Sequence, residues 1–372
     1  MTRWLLVTLL VGCAAEQPTV AVPVVTDASD IGPSDAVVEA QGEVSDTFVA
    51  ADTADARDAD ARSLDEWEAL FEAKFTPLTT LTEPASVGYH CLAAASALRR
   101  ARAGAGFSAP FVSKLEAATK AAGAALVANA STWGGDGWGL DKSWDAFGDG
   151  TTNGAATVYA FQTGLAIWCL AEAGDVLSDP TLRALSRKAM DAYRTTAFVP
   201  YGKGYPIDCT TCGYFFYSRD PNDRGRFVKN TNIEMAVAAL VVDLRFGDAT
   251  GKTAGAAATS SQYGEIVSYS NYGYLGRYDK AYVAGASAWD DHNSFEAYLL
   301  LRAGQLLGNK TFVTTAIAHY DAYAAKGSKD YVAYAACHFA RVHAPAAKVC
   351  REYVTASGAT NPAGVGLVMD YP

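Results

Sequence analysis

Four stretches of this chain share one design, and that repetition limits what the chain can fold into. Tyr89 to Gly104, Tyr159 to Gly174, Asn232 to Gly247 and Asn293 to Gly308 are each mostly apolar, and each stops at a glycine, the usual residue just past a helix end. Runs such as "MAVAALVV" and "GLAIWCLA" are apolar all round, which marks helices buried on every side. The segments between them are one-sided. In 181–194, Leu182, Leu185, Ala189 and Tyr193 fall on one stripe, and Arg183, Arg187, Lys188, Asp191 and Arg194 take the other faces. Residues 111–127 repeat the habit with Leu115, Ala118, Ala122 and Leu126. Further helices of this kind are expected at 309–326, 329–342 and 345–357. Buried and amphipathic helices that alternate, with glycine stops 61 to 73 residues apart, predict an all-α protein with an inner ring of helices wrapped by an outer one. No segment sustains the period-two alternation of a strand, and an open solenoid of stacked helix pairs is the structural rival.

Over roughly residues 64 to 357 this alternation resembles the (α/α) toroid of many polysaccharide lyases, uronic-acid epimerases and glycoside hydrolases, an architecture that terpenoid cyclases share. The resemblance is one of pattern, and no motif points to one member. It implies a cleft at one rim of the ring. Linkers leaving the inner helices are short, as at Gly174-Asp175 and Gly247-Asp248, and those entering them are long: 131–157, 198–230 and 270–292. If the inner helices run parallel, the long loops share one rim, and long loops in compact domains are commonly functional.

Those loops are rich in aromatic rings set among Gly and Asp. The first carries Trp133, Trp138 and Trp144 among Asp136, Asp141, Asp145 and Asp149; the second and third supply Tyr214, Tyr217, Tyr272, Tyr274 and Trp289, and Tyr159 opens the following helix. Such rings suit the apolar faces of sugars, with carboxylates and amides for the hydroxyls, and they serve equally to pin long loops to the rim. The densest chemistry is "AWDDHN", where Asp290, Asp291, His292 and Asn293 precede a buried helix. Asn293 before Glu296 and Thr231 before Glu234 read as capping boxes, so Asn232, Asn293 and Asp291 have a purely structural reading as helix caps.

Sugar β-elimination needs a group to neutralise a carboxylate, a base and an acid. His292, Asn293, Asn232, Arg226 and Tyr278 supply these types, alongside Tyr272 and Tyr274, and the toroid resemblance implies Tyr and His in such roles. Hydrolysis needs two facing carboxylates, for which Asp149, Asp290 and Asp291 are candidates. The expectation is a lyase of acidic, uronate-bearing glycans, against a glycoside hydrolase with paired Asp or a non-catalytic glycan-binding lipoprotein.

The N-terminus sets the compartment. Arg3, an apolar run from Trp4 to Val11, and the ending Leu10-Val11-Gly12-Cys13 resemble a lipoprotein signal and its lipobox. This implies residues 1–12 as signal peptide, Cys13 as acylated anchor, and a bacterial outer-membrane position facing the periplasm or cell surface. Residues 14–63 hold eleven acidic and two basic residues and one aromatic, Phe48, too little apolar surface to fold, and read as a disordered tether. They hold most of the net charge of −10; residues 64–372 carry 27 basic and 29 acidic residues, which gives no footprint for nucleic acid. A monomer acting on polysaccharide, with no cofactor or metal, is expected.

The cysteines fit an oxidising compartment, with disulfides expected at Cys209–Cys212 and Cys337–Cys350. A looser metal-like grouping of Cys337, His338, His343 and Cys350 is the rival for the second. When the helices are aligned at their glycine stops, Cys91 and Cys169 are eight residues out of register, about 12 Å at about 1.5 Å per residue, and are expected not to pair.

Overall fold

The computed structural model describes residues 68–69, 81–200, 211–268, 275–277, 290–324, 336, 338–340 and 342–355, some by their backbone alone. The signal segment, Cys13, the 14–63 tether, Cys209, Tyr272, Tyr274, Tyr278, Trp289 and Cys337 lie outside them.

The fold is an all-α toroid built from helical hairpins. The inner helices are α1 (Pro84–Arg102), α3 (Ala160–Val176), α5 (Lys229–Phe246) and α7 (Asp290–Leu307). Each is followed by an outer helix: α2 (Ala109–Ala130), α4 (Pro180–Ala197), α6 (Ala249–Ser268) and α8 (Lys310–Ala324). A further helix, α9, spans Ala344–Thr355. Fifteen of the seventeen residues of α3 and fourteen of the eighteen of α5 are buried, as their all-round apolar sequences require. The stripe on α4 buries Leu182, Ala189 and Tyr193, and the helix starts where the Asp179 carboxylate accepts from the amides of Thr181 and Leu182.

The inner helices run parallel. Along α1 and α3, Gln162 Oε1 accepts from Ala85 N, a Cβ on Gly88 would meet Leu165, and Arg99 reaches Glu172 and Asp175. Along α3 and α5, Glu234 reaches Leu165 near one end and Arg245 reaches Glu172 near the other. Curvature shows in a contact that skips a helix: Tyr298 of α7 stacks on Trp168 of α3 at 6.4 Å, and His338 stacks on the same tyrosine at 3.8 Å. An open solenoid brings only neighbouring repeats together. Here α3 and α7 meet across the ring with α5 between them.

Cys91 and Cys169 form a disulfide, Cα–Cα 5.7 Å, which overturns the expectation that they stay apart. The error lay in the glycine alignment. Gly104 lies beyond the end of α1 at φ +93°, a left-handed stop, whereas Gly174 lies inside α3. Gly174 is there for close approach: a Cβ would sit 2.9 Å from the backbone nitrogen of Arg183 on α4. The stops are 70 residues apart, but α1 and α3 are matched at separations of 77 and 78, about two helical turns further on. Cys212 and Cys350 are each disulfide-bonded as well; the partners expected for them, Cys209 and Cys337, lie outside the described residues.

The first residues of α5 and α7 differ from the expected caps. α5 begins at Lys229, so Asn232 is inside the helix; Thr231 Oγ1 donates to Val228 O and Glu234 turns to a neighbouring helix. α7 begins at Asp290, which puts Asn293 in its first turn rather than at its cap. Neither capping box forms. The helix α6 has no apolar stripe; it lies close to α5 through small residues, a Cβ on Gly255 meeting Ala236 O at 2.8 Å. Thr253, Thr259, Ser260 and Ser261 turn their hydroxyls back to carbonyls four residues earlier.

Candidate functional site

The long loops converge at the N-terminal ends of the inner helices. The first, 131–159, folds on itself through bridges at Gly139–Val158 and Trp144–Asn153, and Tyr159 bridges to Ser218 of the second loop. Three side-chain bonds lock the two loops together, and a fourth, between Ser218 and Asp223, braces the second loop. The Asp223 carboxylate accepts from Asn153 Nδ2 (2.6 Å) and Ser218 Oγ (2.5 Å), Thr157 Oγ1 donates to Asp220 (3.3 Å), and Arg219 pairs with Asp136 (2.7 Å). Strand β1 (Phe198–Pro200) pairs antiparallel with β2 (Gly213–Phe215). Strand β3 (Arg226–Val228) pairs antiparallel with β4 (Leu275–Arg277), so the third loop joins the second through backbone bonds.

The loops enclose an aromatic nest over the start of α3. Tyr217 is its hub, 5.9 Å from Trp144, 5.3 Å from Phe147, 5.7 Å from Tyr159 and stacked on Phe161 at 5.9 Å. Tyr159 and Tyr217 are buried, whereas Trp144, Phe147 and Phe161 keep part of their surface open. Arg226 lies over the Phe147 ring at 4.9 Å and forms an ion pair with Asp149. That hydrogen bond holds the Asp149 carboxyl below its usual range. Asp145 is turned inward on its own loop, accepting from the amides of Asp149 and Gly150.

The expected site residues therefore part company. Trp138 is wholly buried, its indole N–H donating to Leu126 O at 2.9 Å; it is a core residue and offers no stacking surface. Tyr214 is buried likewise, and Trp133 is half-buried against the core. Asn232 is 1% exposed: its Oδ1 accepts from Phe215 N (2.9 Å) and its Nδ2 donates to Ala258 O (3.4 Å), tying α5 to β2 and α6. Trp144 remains at the rim. Asp290, Asp291, His292 and Asn293 form the first turn of α7, described by backbone alone. His338 stacks on Tyr298, His343 pairs with Asp321 at 2.7 Å, and Cys350 is in a disulfide, so these three do not form a metal cluster.

Three buried acids were not foreseen as members of the site. Glu234 is 2% exposed and accepts one hydrogen bond, from Leu165 N at 3.1 Å; burial pushes its pKa well up. Its place is made by Gly164, where a Cβ would lie 2.6 Å from Oε1. Asp223 is also raised by burial, against its bonds from Ser218 and Asn153. Glu296 accepts from Gln262 Nε2 and faces Lys229; burial drives the carboxyl up and the ammonium down. An acid alone in an apolar run, as Glu234 is before "MAVAALVV", was the available signal.

The fold and rim define an (α/α) toroid with a loop-built, aromatic and carboxylate-bearing mouth. No family model matches the chain, and no curated protein matches it. Among solved structures it is similar to a family 76 glycoside hydrolase from a bovine Bacteroides thetaiotaomicron strain, at 8% identity and a TM-score of 0.48, over 76% of this chain and 68% of that one. A likeness of that degree transfers neither chemistry nor residue roles.

Proposed function

We propose that this protein is a glycan-degrading enzyme whose cleft is the loop rim, and that it is a glycoside hydrolase rather than a lyase. The observation that carries the reading is the rim itself. Half-open Trp144, Phe147 and Phe161 stand together at the rim, and the sequence supplies two consecutive aspartates, Asp290 and Asp291, where α7 begins. Open aromatic faces bind sugar rings, and a carboxylate pair is what glycosidic hydrolysis requires, one as acid and one as base or nucleophile. The lyase reading loses ground on two residues. Arg226 is already paired with Asp149, and Asn232 is spent on backbone bonds, so neither is at hand to neutralise a uronate. We extend the proposal to a lipid anchor at Cys13 and a place outside the cytoplasm, on the strength of the Leu-Val-Gly-Cys ending.

Product chemistry tests the activity. Wild-type protein incubated with a panel of neutral and acidic polysaccharides should release reducing ends with no unsaturated, ultraviolet-absorbing product. Asp290→Asn or Asp291→Asn should lower the rate by at least the roughly 10² to 10⁴ of an acid–base group, while His292→Ala lowers it less. Unsaturated products abolished by His292→Ala would establish the lyase instead, and saturable glycan binding without products would make the chain a binder. Cys13→Ala should move the protein out of the membrane fraction or leave its precursor uncleaved; unchanged partition with normal processing would remove the anchor.

A further inference from the structure

At the opposite rim, where the inner helices end, arginines gather. Arg99 pairs with Glu172 and Asp175, both at 2.7 Å, and Arg245 pairs with Glu172 at 3.2 Å. These bonds use up the two carboxylates. Beside them lies an open groove of about 350 Å³, lined by Pro180, Arg183, Ala184, Arg187, Arg245 and Phe246. Ligand sites run from roughly 300 to 1,000 Å³.

The groove holds more positive charge than its neighbours neutralise. Arg183 and Arg187 stand one turn apart on α4, their guanidinium carbons 5.7 Å and 6.0 Å from the Phe246 ring centroid. Arg183 is fixed by Nε donating to Gly174 O at 2.9 Å, and its nearest carboxylate, Asp175, is 3.8 Å away and already held by Arg99. Arg187 donates to Phe246 O at 3.0 Å and has no ion pair among the described residues. Asp179, next to the lining residue Pro180, is occupied in capping α4. Backbone carbonyls and an aromatic face thus hold two guanidinium forks in place, and the Arg187 fork is directed to no carboxylate among the described residues. Arrays of this kind bind planar or tetrahedral oxyanions bidentately.

We propose that this groove is an oxyanion site that takes a phosphate group, either free in solution or on a lipid headgroup. It is separate from the loop rim and does not depend on the reaction there. Arg187 is exposed, so its substitution is expected to leave the fold intact.

Isothermal titration of the full chain with inorganic phosphate, against chloride at matched ionic strength, should give saturable binding and a raised melting temperature. Arg187→Gln and Arg183→Gln should each weaken it at least tenfold, Arg187→Gln with the melting temperature in chloride little changed and Arg183→Gln with a lower one because its bond to Gly174 O is lost, and Arg187→Lys should recover only part. Trp144→Ala should leave it unchanged. Cosedimentation with phosphatidylglycerol vesicles, compared with phosphatidylcholine, then separates the sources. Retention that phosphate competes away and Arg187→Gln abolishes assigns the groove to a headgroup; phosphate binding without retention assigns it to a soluble phosphate. A phosphate response no larger than that of chloride, or one that both arginine variants keep, would overturn the proposal.

Discussion

The two rims of the ring meet the same problem with opposite chemistry. Where the inner helices begin, long loops are tied by amides, hydroxyls and carboxylates, as at Asn153–Asp223–Ser218, and burial leaves Asp223 and Glu234 with raised pKa values. Where the inner helices end, arginines bind the last carbonyls: Arg99 bonds to Glu172 O, Arg183 to Gly174 O, Arg187 to Phe246 O, and Arg102 to Val176 O. Cations suit the negative ends of helices, and the arrangement surrounds Glu172 with charge. Burial alone would raise the pKa of Glu172, but the attraction of Arg245, Arg99 and Arg302 prevails and the net shift is downward. One rim is a charged clamp that keeps the helices in register. The other holds protonatable carboxyls under a canopy of loops, which leaves it free to carry chemistry.

The largest expected effect is at the clamp. Glu172→Gln removes the carboxylate that Arg99 and Arg245 share and should lower unfolding stability by about 3–5 kcal/mol at pH 7, measured by denaturant titration. Because its folded pKa lies below the unfolded value, this stabilisation is present above about pH 4.3 and fades as the pH falls. Variant and wild type should therefore converge in acid, and a pH-independent gap would remove the electrostatic account of this rim.

The disulfide between α1 and α3 comes next. It closes a separation of 78 residues, so the double variant Cys91→Ala/Cys169→Ala should lose about 2–4 kcal/mol. An unchanged denaturation midpoint, or alkylation of both thiols in the untreated native protein, would contradict the two-turn register on which the ring is built.

Asp223→Asn keeps an acceptor for Asn153 and Ser218 and should cost about 1 kcal/mol or less at pH 7. A loss as large as that of Glu172→Gln would show that the loop canopy is held as tightly as the clamp. The smallest effect belongs to Glu234→Gln, which retains the acceptor for Leu165 N. A carboxyl whose folded pKa is raised contributes fully below the unfolded value of about 4.3 and loses that contribution as the pH rises. The variant should therefore melt slightly above wild type at pH 7 and with it at pH 4. The opposite order at pH 7 would mean that Glu234 is ionised and has a cationic partner in the fold.

The helical ring was legible because its signals are local. All-round apolar runs gave the inner helices, and a one-sided stripe gave α4. The axial register was not legible, since glycine serves as a left-handed stop at Gly104, Gly247 and Gly308 but as a close-packing residue at Gly174. Sequence shows that a glycine is present and leaves its purpose open. The same holds for the aromatic loops. Trp138 and Trp144 stand six residues apart in near-identical surroundings of Gly and Asp, yet one is buried in the core and the other reaches the rim. The capping boxes failed because α5 starts two residues before Thr231 and α7 three before Asn293, which frees Glu234 and Glu296 for neighbouring helices. Helix starts are poorly marked when the first turn is itself buried and its partners are tertiary.

The claim on which the account depends is where sugar binds, and a crystal structure of the full chain soaked with an oligosaccharide that it binds or cleaves tests it most directly. The account predicts sugar rings against Trp144, Phe147 or Phe161, at the mouth where α7 begins. Sugar bound elsewhere, with the aromatic nest closed to it, would contradict the account and return the Trp-Asp-Asp-His-Asn run to the start of a helix and nothing more.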